Sequence, residues 1–416
     1  MDHKRTQGSE VRVLSFNCWG LKHVSKFREN RLKGIGDQLH ARGDDYDIVA
    51  LQEVWVEADF EYIRDRIHGH LPYAKYYYSG IISGPGLAIF SRWPILSAEV
   101  HRFALNGRPS AFFRGDWFVG KSVVSAIINH PVQKIEVLNA HLHAPYGKGD
   151  AAYTCHRTEQ AWEMARMARR AIDCGHFVLA MGDLNSVPDS LTYRLFQTVG
   201  GLSDSWLDRH GTCTQQMEDL SLDDQLALAG VTCDSQLNTW RENRRLNEAK
   251  RLDYIFYDNR RANVINSEVT FTEKLTAVGS MSDHFALSST FSLVPETVTD
   301  KPRYDSSEEY VRLCDDILTL ILEYKPTSHY QSLYRNIHFW LSVLLLVGIL
   351  ISVFWGAADN RPYVAFVFIF FTILITATGL TDGYIGFLFG RNEKRALKEF
   401  ETEVILTRSF YENNLY

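Results

Sequence analysis

The sequence predicts a mixed α/β domain followed by a pair of membrane-spanning helices. The first part of the chain alternates short apolar runs with amphipathic stretches, a pattern typical of sheets covered by helices. The last part contains two long apolar runs without a charged residue. Several of the shorter runs end in Asn, Glu, Asp or His, which the packing of a core does not require. These observations together indicate a functional cleft in a membrane-attached domain.

Composition narrows the class of protein. The chain has 416 residues, of which 45% are hydrophobic and 23% are charged, as in folded proteins. Its net charge of -6 argues against a protein that coats nucleic acid, so we expect no nucleic-acid partner. The six cysteines show no CxxC spacing and therefore predict no zinc site. The polar N-terminus lacks the apolar core of a signal peptide, so we expect the globular part to stay in the cytosol.

The apolar runs of the first part predict strands, and the amphipathic stretches between them predict helices. Leu32, Ile35 and Leu39 recur at helical spacing, and a longer helix is predicted from Ala151 to Ile172. The predicted strands are Val11–Asn17, Tyr46–Glu53, Gly86–Ser91, Ser122–Asn129, Ile135–His141, His176–Asp183, Arg251–Phe256 and Phe285–Leu293.

We expect four segments: a catalytic domain over residues 1–294, a linker with an amphipathic helix over 295–336, two transmembrane helices over 337–390, and a basic cytosolic tail over 391–416. Ser306 and Glu309 match a capping box at the start of the amphipathic helix. Its apolar face either lies on the bilayer or packs on the catalytic domain, and the sequence leaves both open. This face consists of Tyr310, Leu313, Cys314, Ile317, Ile321 and Tyr324.

The two apolar runs, Ile337–Ala358 and Tyr363–Leu380, are each long enough to cross a bilayer as a helix. Arg335 precedes them and the basic stretch Arg391–Lys398 follows, which places both flanks in the cytosol. We expect the endoplasmic reticulum as the membrane, with the mitochondrion as the alternative. The basic stretch either binds anionic phospholipids as activators or only orients the helices. Asp382 lies just beyond the second run, and the sequence assigns it no role.

Candidate chemistry lies where the predicted strands end. Glu53 offers a carboxylate, the ligand type that magnesium prefers, and Asn17 can add a carbonyl oxygen. Asp183 and Asn185 lie two residues apart and point to the same side. In the pair Asp283–His284, a histidine with an acidic partner can act as a general base.

The order of these motifs resembles that of the endonuclease/exonuclease/phosphatase superfamily and, within it, the neutral sphingomyelinases and the fungal inositol phosphosphingolipid phospholipases C. The resemblance implies a four-layer sandwich of the deoxyribonuclease I type. It also implies a Mg²⁺-dependent phospholipase C that cleaves a membrane sphingolipid into ceramide and a phosphorylated head group. The motifs that carry it are FNCWGLKHVSKFRENRL, ALQEVW, YYYSGIISGPGLAIFS, NGRPSAFFRGDWFVGKS, NAHLHAPY, AMGDLNS, LNTWR, RLDYIF and SDHFAL.

The resemblance also implies roles for individual residues. Glu53 is the main metal ligand with Asn17 beside it, and His284 is the general base. The remaining catalytic residues are Asp183 and Asn185, which orient water and phosphate, His141, which contacts the phosphoryl oxygen or the leaving group, and Asp283, which assists His284. Asp116 and Lys121 resemble a pair that couples lipid engagement to assembly of the site, while His143 and Asp253 match family motifs with either a catalytic or a supporting role.

Other functions remain as alternatives. GDWFVGKS satisfies a nucleotide-binding P-loop pattern, but a strand rather than a helix is predicted after it, so we reject nucleotide hydrolysis. A nuclease of the same fold would not need two membrane spans, and an inositol polyphosphate phosphatase would show a different motif near RLDYIF. A catalytically silent, membrane-tethered binding module would be free to lose the polar residues. The head group itself (phosphoinositol, its mannosylated forms or phosphocholine) stays open.

Overall fold

The computed structural model describes residues 9–81, 84–294, 306–358 and 361–413. Its strands agree with the eight predicted ones and add several short or half-exposed strands between them. In chain order the strands are β1 (Glu10–Asn17), β2 (Ile48–Gln52), β3 (Tyr73–Tyr76), β4 (Ala88–Ser91), β5 (Ile95–Arg102), β6 (Ser122–Ile128), β7 (Ile135–His141), β8 (Phe177–Asp183), β9 (Ser203–Asp204), β10 (Asp253–Tyr257), β11 (Ala262–Thr270), β12 (Lys274–Leu275), β13 (Gly279–Ser280) and β14 (Ala286–Leu293).

The helices fall into two groups, short ones within the α/β domain and three long ones at the C-terminal end. In chain order they are α1 (Arg28–Arg42), α2 (Glu57–Ile67), α3 (Asp116–Val119), α4 (Thr154–Asp173), α5 (Leu191–Thr198), α6 (Ser205–His210), α7 (Leu222–Ala227), α8 (Ser307–Ala358), α9 (Pro362–Tyr384) and α10 (Gly390–Asn413).

Two six-stranded sheets form the centre of the α/β domain. Their strand orders are β11-β14-β1-β2-β4-β3 and β5-β6-β7-β8-β10-β9. Buried aliphatic side chains such as Val13, Ile89, Val137 and Leu179 fill the space between the two sheets. Helices α1 and α2 cover the outer face of the first sheet, and α4 and α5 cover that of the second. This arrangement confirms the predicted four-layer sandwich.

Parallel pairing brings the polar strand ends to one edge. Strands β1 and β2 run parallel with Asn17 opposite Gln52, so Glu53 follows directly beside Asn17. Strands β7 and β8 also run parallel, with His141 opposite Asp183, because the long helix α4 connects them. Parallel strands joined by such a crossover end at the same edge of their sheet. The two sheets therefore present their polar ends side by side.

Helix α8 contains the predicted amphipathic helix and shows whether its apolar face lies on the bilayer or packs on the catalytic domain. The predicted linker residues 295–305 lie outside the described residues. Beyond them the whole predicted apolar face, from Tyr310 to Tyr324, is buried and packs in the same core as α4 and α5. The first part of α8 therefore packs on the α/β domain. The helix then continues without a break into the first apolar run.

The apolar parts of α8 and α9 are long enough to cross a membrane, and only 6% of each most apolar window is buried. Small residues of α9 and the turn after it allow close contact with α8. A Cβ atom on Gly386 would lie 2.1 Å from Asn336 Oδ1, and one on Gly379 would lie 2.5 Å from Ser342 Cβ. Asp382 forms an ion pair with Arg335 and also contacts His338 Nδ1 at 2.8 Å. It therefore ties α9 to α8.

The expected basic tail is a helix that packs against the domain. After a π-helical turn over Ile385–Phe389, α10 buries Leu397, Phe400 and Val404 against α4 and α8. Its basic residues Arg391, Lys394, Arg395 and Lys398 are exposed. The sequence pattern did not predict this helix as a packed element because its apolar face is narrow.

Candidate active site

A cleft of about 430 Å³ lies at the edge where the strands of both sheets end. The predicted site residues that line it are Glu53, Asp116, Lys121, His141, Asp183, Asn185, Asp283 and His284. Asn17 lies beneath them and His143 lies behind Asp116. Residues from distant parts of the sequence therefore converge, as the motif order predicts.

Asn17 joins the two central carboxylates. Its Nδ2 donates to Glu53 Oε1 and to Asp183 Oδ2, both at 3.0 Å. Its Oδ1 accepts a hydrogen bond from the backbone N–H of Trp19 at 3.0 Å. The local turn uses the oxygen that the sequence assigns to a metal, and the role of Asn17 as a metal ligand stays a prediction. Asn17 holds Glu53 and Asp183 at a fixed separation.

His284 faces Asp183 on one side and Asp253 on the other. Its Nδ1 lies 2.8 Å from Asp253 Oδ2, and its Nε2 lies 3.8 Å from Asp183 Oδ2. The acidic residue in contact with the His284 ring is Asp253 rather than the adjacent Asp283, whose assisting role stays a prediction. Neighbouring side chains of an extended segment point to opposite sides, and Asp283 accepts a hydrogen bond from Arg241 Nη2 at 2.5 Å instead. Asp253 thus has the supporting role that the sequence left open.

His141 completes the group around the carboxylates. Its Nε2 lies 3.6 Å from Asp183 Oδ2 and 3.9 Å from Glu53 Oε1. Burial and the positive charge of Lys121 lower the pKa of His141 well below its ordinary value, so its ring is neutral at physiological pH. The Asn185 backbone N–H donates to Asp183 Oδ1 at 2.8 Å, which fixes the loop after β8.

Lys121 and Asp116 form a buried ion pair at the wall of the cleft. Lys121 Nζ lies 3.2 Å from Asp116 Oδ1 and donates to the carbonyl of Leu142 at 2.9 Å. His143 is only 1% exposed and its Nε2 lies 3.7 Å from Asp116 Oδ2, so it supports the pair from behind. Strand β6 follows this loop directly, as predicted, and a P-loop would require a helix there.

The carboxylates of the cleft are crowded. Burial raises the pKa of Glu53, and the nearby charge of Asp283 raises it further. Burial likewise raises the pKa of Asp183 to about 7, although His284 opposes the shift. Burial alone would lower the pKa of His284, but Cys233, Asp253 and Asp183 outweigh it and raise the pKa. Several shifted pKa values in one cleft are typical of a functional site.

The backbone conformation of Glu53 is a second indication that the cleft is a functional site. Glu53 has a φ of 57°, in the left-handed region that non-glycine residues rarely adopt. Strain of this kind clusters at functional sites, where the surrounding structure must hold it in place. The conformation turns the Glu53 side chain from the end of β2 into the cleft.

The donor set fits a divalent metal ion. Glu53 and Asp183 offer carboxylate oxygens whose mutual repulsion a cation would relieve. Among the described residues, Asp183, Asp253 and His284 also lie close enough to share an ion. Two of these, Asp253 and His284, are already hydrogen-bonded to each other. The edge formed by Glu53 and Asp183 therefore suits a hard cation better.

Sequence reasoning missed several residues of the cleft wall. One part of the cleft is lined by Trp19, Arg114 and Tyr146. Another part is lined by Arg241, Arg244 and Lys250. Four of them lie in motifs quoted above, which were the available signals: Trp19 in FNCWGLKHVSKFRENRL, Arg114 in NGRPSAFFRGDWFVGKS, Tyr146 in NAHLHAPY and Arg241 in LNTWR. The others lie in loops whose position depends on tertiary packing.

Comparison with known proteins agrees with the fold and shows the family. The chain belongs to the endonuclease/exonuclease/phosphatase family, which matches residues 14–284. The fold and the relatives' names define the class as phosphoric diester hydrolases.

Within this class, inositol phosphosphingolipids phospholipase C of Saccharomyces cerevisiae is 39% identical over 95% of this chain and 89% of its own length. The enzyme of the same name from Schizosaccharomyces pombe is 39% identical over 95% of this chain and 93% of its own. Sphingomyelin phosphodiesterase 2 of Homo sapiens is 37% identical over 48% of this chain and 46% of its own. These relatives confirm the family resemblance that the motifs indicate.

A solved structure agrees at the level of the fold. The beta toxin of Staphylococcus aureus superposes with a TM-score of 0.50 at 18% identity, covering 67% of this chain and 99% of its own.

Proposed function

We propose that this chain is a Mg²⁺-dependent phospholipase C that hydrolyses membrane sphingolipids to ceramide and a phosphorylated head group. The sphingolipids proposed as substrates are inositol phosphosphingolipids and sphingomyelin. One observation carries the proposal: the His284–Asp253 pair faces the Glu53–Asp183 carboxylates across a cleft in a domain joined to two membrane-length helices. The relatives with the corresponding names extend over both parts of the chain.

The chain's own groups fit in-line attack of water on phosphorus. With its ring in the neutral form that this step requires, His284 Nε2 takes the proton of the attacking water, while Asp253 holds the ring through Nδ1. Asn185 and neutral His141 donate hydrogen bonds to the phosphoryl oxygens. Lys121, buried beside Asp116, places a positive charge at the cleft wall near the phosphate. The bond that breaks joins phosphorus to the primary oxygen of ceramide. Glu53, with Asp183 beside it, would hold Mg²⁺, which would supply positive charge to stabilise the negative charge that develops in the transition state.

The membrane helices make the substrate accessible. A lipid in the same bilayer is at high effective concentration for a tethered domain. The exposed residues Arg391, Lys394, Arg395 and Lys398 fit binding of anionic phospholipids, which we propose as activators. The same positive flank supports a cytosolic position for the catalytic domain and the C-terminus, and the endoplasmic reticulum stays the expected membrane.

The test uses the purified full-length chain in vesicles that contain inositol phosphoceramide or sphingomyelin. We expect release of a water-soluble phosphorylated head group that stops on chelation and resumes with Mg²⁺. His284→Ala and Glu53→Gln should each lower turnover by about two to four powers of ten, since general-base or metal assistance is lost.

Matched surface variants serve as controls. His101→Ala and Glu61→Gln change the same residue types outside the cleft and should keep normal turnover. Near-normal turnover of His284→Ala or Glu53→Gln, or release of head group without a divalent metal, would contradict the proposal.

A further inference from the structure

A group of basic residues in the segment before β10 forms one wall of the cleft. Arg241, Arg244 and Lys250 all surround the buried carboxylate of Asp234, at 3.5, 3.1 and 3.6 Å. All four residues line the cleft that contains His284. The proposed mechanism uses none of them.

This basic wall is firmly attached to the catalytic groups. Trp240 Nε1 donates to the carbonyl of Ser280 at 2.8 Å, and Asn238 Nδ2 donates to that of Ser282 at 2.8 Å. Ser282 directly precedes Asp283 and His284. The basic side chains therefore have a fixed position relative to the general base.

The wall keeps hydrogen-bonding capacity. Lys250 Nζ lies 3.6 Å from Asp234, beyond hydrogen-bond distance, and its side chain is 44% exposed. Arg241 Nε is buried and has no hydrogen-bond partner among the described residues. Arg244 binds Asp234 through Nε, and its Nη1 reaches Glu248 at the surface. These donors suit oxygen acceptors.

The orientation of a lipid in the cleft follows from the other wall. Arg114, Gly115 and Val119 line that wall, and the adjoining Trp117 packs on Phe389, at the end of the membrane helices, with 4.8 Å between ring centroids. A lipid enters from this membrane side with its ceramide part. Its head group then extends past the phosphate toward the basic wall.

We propose that Arg241, Arg244 and Lys250 form the head-group subsite, and that this subsite favours a phosphodiester whose head group is a polyol, with or without a further phosphate, over one with a quaternary ammonium. Hydroxyl and phosphate oxygens accept hydrogen bonds from guanidinium and ammonium groups. A trimethylated ammonium offers no acceptor for these donors. This inference rests on the proposed sphingolipid hydrolysis and specifies its substrate class.

The experiment compares kcat/KM for inositol phosphoceramide and sphingomyelin in vesicles of the same composition, with the full chain and the double variant Arg244→Gln/Lys250→Gln. Both residues lie outside the proposed catalytic set. We expect the ratio of the two kcat/KM values to fall about tenfold, through loss with the inositol lipid and gain or no change with sphingomyelin. Arg244→Lys should retain part of the preference, because it keeps the charge but not the planar fork.

Sphingomyelin turnover reports whether the double variant is folded and active. Lys33→Gln, an exposed basic residue outside the cleft, should leave the ratio unchanged. A ratio within about twofold of the unmodified chain, or an equal loss with both lipids, would overturn the subsite. A wild-type chain that releases head group from neither lipid would instead refute the proposed function itself, so the two failures are distinguishable.

Discussion

Two groups of buried charged residues in this molecule show opposite behaviour. In the cleft, burial raises the pKa of Asp183 to about 7. At the junction between the α/β domain and the C-terminal helices, burial would also raise the pKa of Glu393. Contacts with His156, Tyr324 and Arg108 instead lower the pKa of Glu393 to about 2.

The difference lies in the neighbours of each carboxylate. Glu393 accepts hydrogen bonds from Tyr324 Oη at 2.5 Å and Ser328 Oγ at 2.9 Å, and its Oε1 lies 3.5 Å from His156 Nε2. Glu53 and Asp183 share the amide of Asn17 and lie near a third carboxylate, Asp283. A carboxylate with donors around it stabilises the fold, whereas carboxylates set against each other suit a cation and a reaction.

The largest expected effect concerns the partner of the general base. Asp253→Asn should lower kcat by about two to four powers of ten, because an amide neither fixes the imidazole tautomer nor stabilises its protonated form. Asp283→Asn should cost about tenfold, since it weakens the contact with Arg241 rather than the ring of His284.

Steady-state kinetics of the two variants at saturating Mg²⁺, with circular dichroism as the folding control, distinguish these roles. The Asp283→Asn variant is the matched control, because it removes the same charge from the residue that directly precedes His284 in the sequence. A loss for Asp283→Asn that equals or exceeds that for Asp253→Asn would mean that the sequence pair, and not the structural pair, is catalytic.

The candidate site shows which features can be predicted from the sequence and which cannot. Asn17, Glu53, His141 and Asp183 were predictable as one cluster, because each terminates a strand and parallel strands end at a common edge. The pairing of His284 with Asp253 was not, because it depends on β10 lying antiparallel to β8 with Asp253 opposite Asp183. Strand register between distant segments has no local signal.

The same reasoning applies to the fold. The buried strands and both membrane runs were predictable from apolar periodicity. Strand β5 was not, because six of its eight residues are exposed. Helix α10 carries mainly charged residues and packs only through a narrow stripe around Phe400. Elements whose burial depends on a distant partner escape a pattern-based prediction.

A substitution at the junction between the α/β domain and the C-terminal helices should lower the stability of the fold without a comparable loss of lipid turnover. Glu393 has a folded-state pKa of about 2 against an ordinary value of 4.5. Its depressed pKa stabilises the fold fully above pH 4.5, and this contribution is lost as the pH falls toward 2. Glu393→Gln should therefore lower the free energy of unfolding at neutral pH by roughly 1–3 kcal/mol and flatten the acid side of the stability profile.

Thermal unfolding of the full chain in detergent, followed from neutral to acid pH, measures this effect. Glu399→Gln on the same helix is exposed and serves as the control, with a profile like that of the unmodified chain. The folded fraction of Glu393→Gln should turn over lipid within about twofold of the unmodified rate, as for a change outside the cleft. An unchanged acid profile would show that the junction does not depend on this carboxylate.

The smallest expected effect is at the loop where the two regions meet. Phe113 is fully exposed and Phe112 is 62% exposed, and both precede Trp117, which packs on Phe389 beside the membrane helices. Insertion of Phe113 into the interface would help to orient the cleft toward the bilayer, although the helices already tether the domain. Phe113→Ser should therefore lower the initial rate on vesicles only about three- to tenfold, which corresponds to a fraction of the free energy gained when a phenyl ring is fully buried.

The same lipid in mixed detergent micelles should show little change, because there the substrate is not confined to a bilayer plane. Val132→Ser changes a 45% exposed apolar residue outside the cleft and the loop, and should affect neither rate. Equal losses for Phe113→Ser in vesicles and micelles would place Phe113 in the chemistry of the cleft rather than at the membrane, and no loss in vesicles would leave the orientation of the domain to the helices alone.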